Sequence, residues 1–130
     1  MNAPVIFVID DQESVRHAIG EMLSVFGFAV ETFDSATQFL DNVEPDRAGC
    51  VVADVRMPGM DGIALVTEMA RRGMAMPAIL ISGHADVPMA VRAMKNGAFD
   101  FLEKPFNDQA LLDRVQQAIE RDRKERSRDA

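Results

Sequence analysis

Five short apolar runs, each followed by a helical pattern, constrain this chain more than any other feature. The first, Val5-Ile6-Phe7-Val8-Ile9, is continuous rather than alternating, as in a strand covered on both faces. Val15, Ala18, Ile19, Met22, Leu23 and Phe26 then recur at helical spacing, and Gly27 stands where a helix C-cap is expected. Residues 28–33 form a second run, followed by a Ser35/Gln38 capping pattern and an apolar face of Ala36, Phe39, Leu40 and Val43. Residues 50–53 are the third strand; the turn Met57-Pro58-Gly59-Met60 leads to a helix capped by Asp61 and closed near Gly73. Residues 78–81 are the fourth strand, and its helix is expected to start at Asp86, accept Pro88 in its first turn and stop at Asn96-Gly97. Residues 99–102 are the fifth strand, before a last helix carrying Leu111, Leu112, Val115, Ala118 and Ile119.

Strict alternation of strand and helix predicts a doubly wound α/β fold with a five-stranded parallel sheet. Right-handed crossovers leave few topologies, and the flavodoxin-like order 2-1-3-4-5 is the expected one. Ligands then bind at the carboxyl ends of the strands, where strand order reverses between strands one and three. Residues 1–120 make one domain; residues 121–130 are a highly charged tail whose first part is expected to extend the last helix and whose remainder is expected to be a linker to an output domain.

The residues closing the strands point to chemistry. Strand one ends in Asp10-Asp11, strand three in Asp54, strand four in Ser82, and strand five leads into Lys104. Each alone has a plain reading: Asp11 as a helix cap, Ser82 as a turn residue, Lys104 as a solvated lysine. Together they fall on one edge of the sheet. Three adjacent carboxylates stay ionised together when a cation sits among them, and hard oxygen donors suit Mg²⁺. A lysine and a hydroxyl beside that metal would hold the oxygens of a phosphoryl group, with an aspartate as nucleophile. Backbone amides near Arg56 and Gly83 are expected to complete an anion nest.

Composition narrows the alternatives. There are 14 Lys+Arg against 21 Asp+Glu, a formal net charge of -7, which disfavours direct nucleic-acid binding. Cys50 is the single cysteine, excluding an internal disulfide and a cysteine zinc site. No apolar run approaches the roughly 20 residues of a membrane span, and residues 1–9 lack the pattern of a signal peptide, so a cytoplasmic location is expected. A flavodoxin-like ligand binder would want a Gly/Ser/Thr-rich first loop and stacking aromatics, yet that loop is Asp-Asp-Gln-Glu and there is no Trp or Tyr. An aspartyl phosphatase would carry a second carboxylate where Asp54-Val55-Arg56 has none.

Four segments carry a family resemblance: Val8-Ile9-Asp10-Asp11, Asp54-Val55-Arg56-Met57-Pro58-Gly59-Met60-Asp61-Gly62, Ser82-Gly83-His84 and Phe101-Leu102-Glu103-Lys104-Pro105-Phe106. In order and spacing they resemble the receiver (CheY-like) domain of two-component response regulators, over about residues 4–120. The stretch from Gly83 to Val91 and Asp100-Phe101 resemble nitrogen-fixation-type regulators, whose output is a LuxR-type helix-turn-helix. Single-domain or sigma-54-activator receivers are the alternative within the family, and a degenerate receiver that only binds proteins is disfavoured because the acidic residues and the lysine are all present. The resemblance implies that Asp54 accepts a phosphoryl group from a sensor histidine kinase. It implies Mg²⁺ on Asp10, Asp11, Asp54 and the Arg56 carbonyl, with Lys104 and Ser82 on the phosphoryl oxygens. Ser82 and Phe101 would be the switch pair, standing where the family more commonly has Thr and Tyr. It also implies a cis Lys104–Pro105 bond, where trans is the expectation from sequence alone. Such a domain catalyses only its own phosphorylation and dephosphorylation, and reaches DNA only through a separate output domain.

His17 and His84 lack the helical-hairpin context of a phosphodonor histidine; His17 is expected in solvent, and Cys50 in the core. In the fourth helix, Val87, Ala90 and Met94 are expected to face the sheet, leaving Val91 at the rim beside Lys95. That rim is the expected surface for homodimerisation on phosphorylation.

Overall fold

The computed structural model describes residues 3–84 and 87–129. Ten elements alternate without exception: β1 (Val5–Ile9), α1 (Glu13–Val25), β2 (Ala29–Phe33), α2 (Ala36–Asn42), β3 (Gly49–Asp54), α3 (Gly62–Arg71), β4 (Ala78–Ser82), α4 (Val87–Lys95), β5 (Asp100–Glu103) and α5 (Asp108–Asp129). The strands form one parallel sheet in the order β2-β1-β3-β4-β5, as expected. The position at which α4 was expected to start, Asp86, lies outside the described residues.

The buried strands divide their side chains between two cores. Phe7, Ile9, Val51, Ala53 and Leu80 meet α2, α3 and α4 through Phe39, Leu65, Met69 and Ala93. Ile6, Val8, Val52, Ile79 and Ile81 meet α1 and α5 through Leu23, Leu111, Leu112 and Val115. This two-sided burial explains why β1, β3 and β4 read as continuous apolar runs. Strand β2 is an edge strand, and its mixed sequence is largely exposed.

The helix caps follow local chemistry. Ser35 Oγ accepts from Gln38 N at 3.1 Å, and Asp61 Oδ1 accepts from Ala64 N at 2.8 Å, each satisfying an otherwise orphaned amide. Helix α1 ends at Phe26 before Gly27, whose φ of 95° suits glycine. Phe26 does not join the core as its spacing predicts. It is 57 % exposed, standing at the C-cap where the chain turns through Gly27 into β2.

One further expectation changes. In α4 the residue that faces the sheet is Ala93, fully buried, with Met89 and Ala90 half-buried beside it. Val87 and Met94 point outwards, 75 % and 47 % exposed. Close approach of α4 to the sheet requires a small residue, and Ala93 sets a helix phase that turns the larger apolar side chains to solvent. The segment after Glu120, whose first part was expected to extend the last helix, continues α5 as helix to Asp129.

Gly62 packs the start of α3 against the end of β3. A Cβ there would lie 2.7 Å from the Asp54 carbonyl oxygen and 3.0 Å from Val55 Cα, both backbone atoms. Gly62→Ala should therefore destabilise the fold by about 1–3 kcal/mol through overpacking, measured by urea denaturation; an unchanged midpoint would show that this contact is free to relax.

Candidate functional site

Register brings the site together. Ile9 lies opposite Ala53, so Asp10 and Asp54 leave adjacent strands side by side. Ser82 lies opposite Glu103, which places Lys104 next to it, with Lys104 N donating to the Ser82 carbonyl at 2.9 Å.

Both oxygens of the half-buried Asp54 carboxylate are engaged. Lys104 Nζ donates to Oδ2 at 3.0 Å, and the Arg56 amide donates to Oδ1 at 2.9 Å. The Arg56 amide, expected in an anion nest, is thus committed to the aspartate itself. The Lys104–Pro105 bond is cis. Asp10 is buried, accepts from Gln12 N through Oδ1 at 2.9 Å, and its carbonyl receives Arg16 Nη1 at 2.7 Å. Asp11 is exposed beside it.

Burial pushes the Asp10 carboxyl above the ordinary carboxylate range, and the neighbouring Asp54 and Asp11 add repulsion. The Gln12 hydrogen bond and the Lys104 charge act in the opposite direction without cancelling it.

The donor set suits a hard cation: carboxylates of Asp10, Asp11 and Asp54, with the Arg56 carbonyl two residues beyond Asp54. Among the described residues, no three acidic, His or Cys side chains are gathered tightly enough to enclose a metal by themselves. That is compatible with Mg²⁺, which keeps several waters and needs only one or two carboxylates.

Ser82 is fully buried, and its Oγ accepts from His84 N at 3.1 Å. Phe101 is half-buried against the core cluster that includes Ala93 and Met89. A cleft of about 660 Å³ opens between the β3–α3 turn and α4, with Arg56 and Arg92 on its walls. Val91 is 46 % exposed, and Lys95 is exposed beside it. His17 is exposed and pairs with Glu21, His84 is exposed, and Cys50 is buried. Arg16 had no sequence signal, because its role is to hold a backbone carbonyl across the β1–α1 turn.

Residues 6–116 match the response regulator receiver domain. The chain belongs to that family. It is 48 % identical over 122 residues to nodulation protein W of Bradyrhizobium diazoefficiens, covering 94 % of this chain and 54 % of the relative. It is also 48 % identical over 114 residues to the transcriptional regulatory protein FixJ of the same organism, covering 88 % of this chain and 56 % of the relative. The response regulator StyR superposes with a TM-score of 0.91 at 45 % identity, covering 97 % of this chain and 64 % of that one. The chain therefore spans about half the length of the curated relatives it matches. Membership replaces the flavin-binder and phosphatase alternatives, and the resemblance to FixJ-type receivers holds. No helix among the described residues is long and apolar enough to cross a membrane.

The raised Asp10 group yields a pH test. The folded chain holds a proton on Asp10 more tightly than the unfolded chain does. Stability therefore falls as pH rises from the ordinary carboxylate value through the folded value, and that contribution stays lost above it. Asp10→Asn keeps the acceptor for Gln12 N and removes the charge. Without Mg²⁺ it should melt higher than wild type at pH 7, and the gain should shrink as pH approaches 4. A gain independent of pH would count against the electrostatic cause.

Proposed function

We propose that this domain accepts a phosphoryl group on Asp54 from a sensor histidine kinase and uses it to switch the face formed by α4 and β5. The observation that carries this reading is the placement of Asp54. It is an acceptor carboxylate at the mouth of a buried strand, bonded to Lys104 and lying beside Asp10. An Asp54 oxygen attacks the phosphorus of the phosphohistidine, an acyl phosphate forms, and the histidine nitrogen leaves with the electrons of the cleaved bond. Lys104 follows the charge from the carboxylate to the phosphoryl oxygens. Bound Mg²⁺, held by Asp10, Asp11, Asp54 and the Arg56 carbonyl, would supply the positive charge that lets the anionic partners approach. Hydrolysis of the acyl phosphate resets the domain; no other substrate is turned over.

Ser82 then exchanges the His84 amide for a phosphoryl oxygen, and its inward movement opens space for Phe101. Phe101 and Ala93 belong to one core cluster, so the rearrangement reaches α4. On the outer side of α4, Val87, Val91 and Met94 form an apolar stripe beside Lys95. That stripe supports homodimerisation of the phosphorylated form. The partial coverage of transcriptional relatives supports an attached DNA-binding output domain. The acidic net charge of -7 agrees with DNA contact lying outside this domain. The setting is cytoplasmic, with no membrane partner.

Incubation with acetyl phosphate and Mg²⁺ should add one acid-labile phosphoryl group, detected by mass spectrometry. Asp54→Asn should not be labelled, and equal labelling of that variant would refute the assignment. In sedimentation, the phosphorylated wild type should dimerise at high micromolar concentration, whereas Val91→Asp should remain monomeric while still being labelled. A monomeric phosphorylated wild type would remove the dimer reading.

A further inference from the structure

We propose that α5 beyond its last core residues is a fixed arm, held by a clasp in which Asp122 and Arg126 grip the start of β3 and the loop before it. The apolar pattern of α5 stops at Ile119, and a charged helical end with no tertiary partner would fray in water. Asp122 is nevertheless 3 % exposed. Its Oδ2 accepts from Gly49 N at 3.0 Å and from Arg126 Nε at 2.8 Å. Arg126 Nη1 donates to the Asp46 carbonyl at 2.6 Å, and Nη2 donates to the Arg47 carbonyl. One planar guanidinium thus spans a carboxylate on its own helix and two consecutive carbonyls of the loop 44–48, a task for which an ammonium lacks the geometry.

The loop side of the clasp is equally constrained. Gly49 has a φ of 144°, and a Cβ there would meet the Val5 carbonyl oxygen at 1.9 Å, so the start of β3 has no room to slide. Arg47 lies over the Phe7 ring at 5.5 Å and reaches Glu31 at 3.4 Å, tying the same loop to β1 and β2. Asp122 Oδ1 has no hydrogen-bond partner among the described residues, so the buried carboxylate depends on the bonds made by Oδ2. Removing Arg126 would leave that buried charge without its ion pair, which is strongly unfavourable.

The clasp therefore fixes the direction of the chain after Ile119 relative to the sheet, at the end of β3 opposite Asp54. A following domain would start from a rigid support instead of a loose tether; that consequence rests on the output-domain reading above, whereas the clasp does not.

Residue-resolved hydrogen exchange on the 130-residue chain tests it. The Gly49 amide and those of residues 123–128 should be protected in the wild type. Asp122→Ala and Arg126→Ala should each accelerate exchange at both places by about tenfold or more, with the Val52 amide unchanged. Arg126→Lys should give an intermediate loss. Arg123→Ala removes only a surface pair with Glu120, at 2.6 Å, and should leave Gly49 unchanged. Should Asp122→Ala fail to fold, Asp122→Asn, which keeps an acceptor for Gly49 N but loses the charge that pairs with Arg126, should give an intermediate loss at both places. Coil-like exchange at residues 123–128 in the wild type, or unchanged protection in folded Arg126→Ala, would overturn the proposal. Phosphoryl labelling of the same samples is read separately, so a failed clasp and a failed phosphoacceptor reading give different results.

Discussion

Two carboxylates stand side by side at the ends of β1 and β3, and the fold supplies one fixed cation from β5 to face them. Much of the site follows from that crowding. Asp10 cannot relieve it by moving into water, because β1 is buried along its whole length. Its charge is instead disfavoured, while Lys104 is drawn onto Asp54. A site in this condition favours an added cation.

The same architecture distributes stability unevenly. Helix α3 buries five residues, whereas α4 buries Ala93 alone. A helix held by so little apolar surface is an element that a small change nearby can shift. Phe101 and Met89 pack in the same cluster as Ala93, so a change at Ser82 has a short physical route to this face. Asp61 caps α3 and Gly62 seats it against the end of β3, beside Asp54.

The opposite end of the sheet is built differently. There the contacts past Ile119 include Arg121 over the Phe99 ring at 4.6 Å and an ionic and polar group, centred on Asp122 and Arg126, that joins α5 to the loop before β3. Beside them Cys50 is kept protonated by burial and by the Asp122 charge, so it behaves as a small core residue.

The period of the apolar residues was enough to determine five strands, five helices and their alternation, and the right-handed crossover rule then left few strand orders, of which the flavodoxin-like one was expected and is observed. Asp10, Asp11, Asp54, Ser82 and Lys104 were legible because a buried strand has to end somewhere and polar residues mark the place. Tertiary structure decided what periodicity cannot encode. In α4, several rotations of an amphipathic pattern are compatible with the sequence, and the close approach permitted by Ala93 selected one. Phe26 fits its stripe but lies past the point where the sheet can cover it. Residues 121–129 look like a linker because an acidic and a basic residue four apart are ordinary on a solvated helix; only the folded loop at 44–48 turns Asp122 and Arg126 into a clasp. Local pattern specifies which elements form, whereas the phase and docking of each element depend on neighbours distant in the chain.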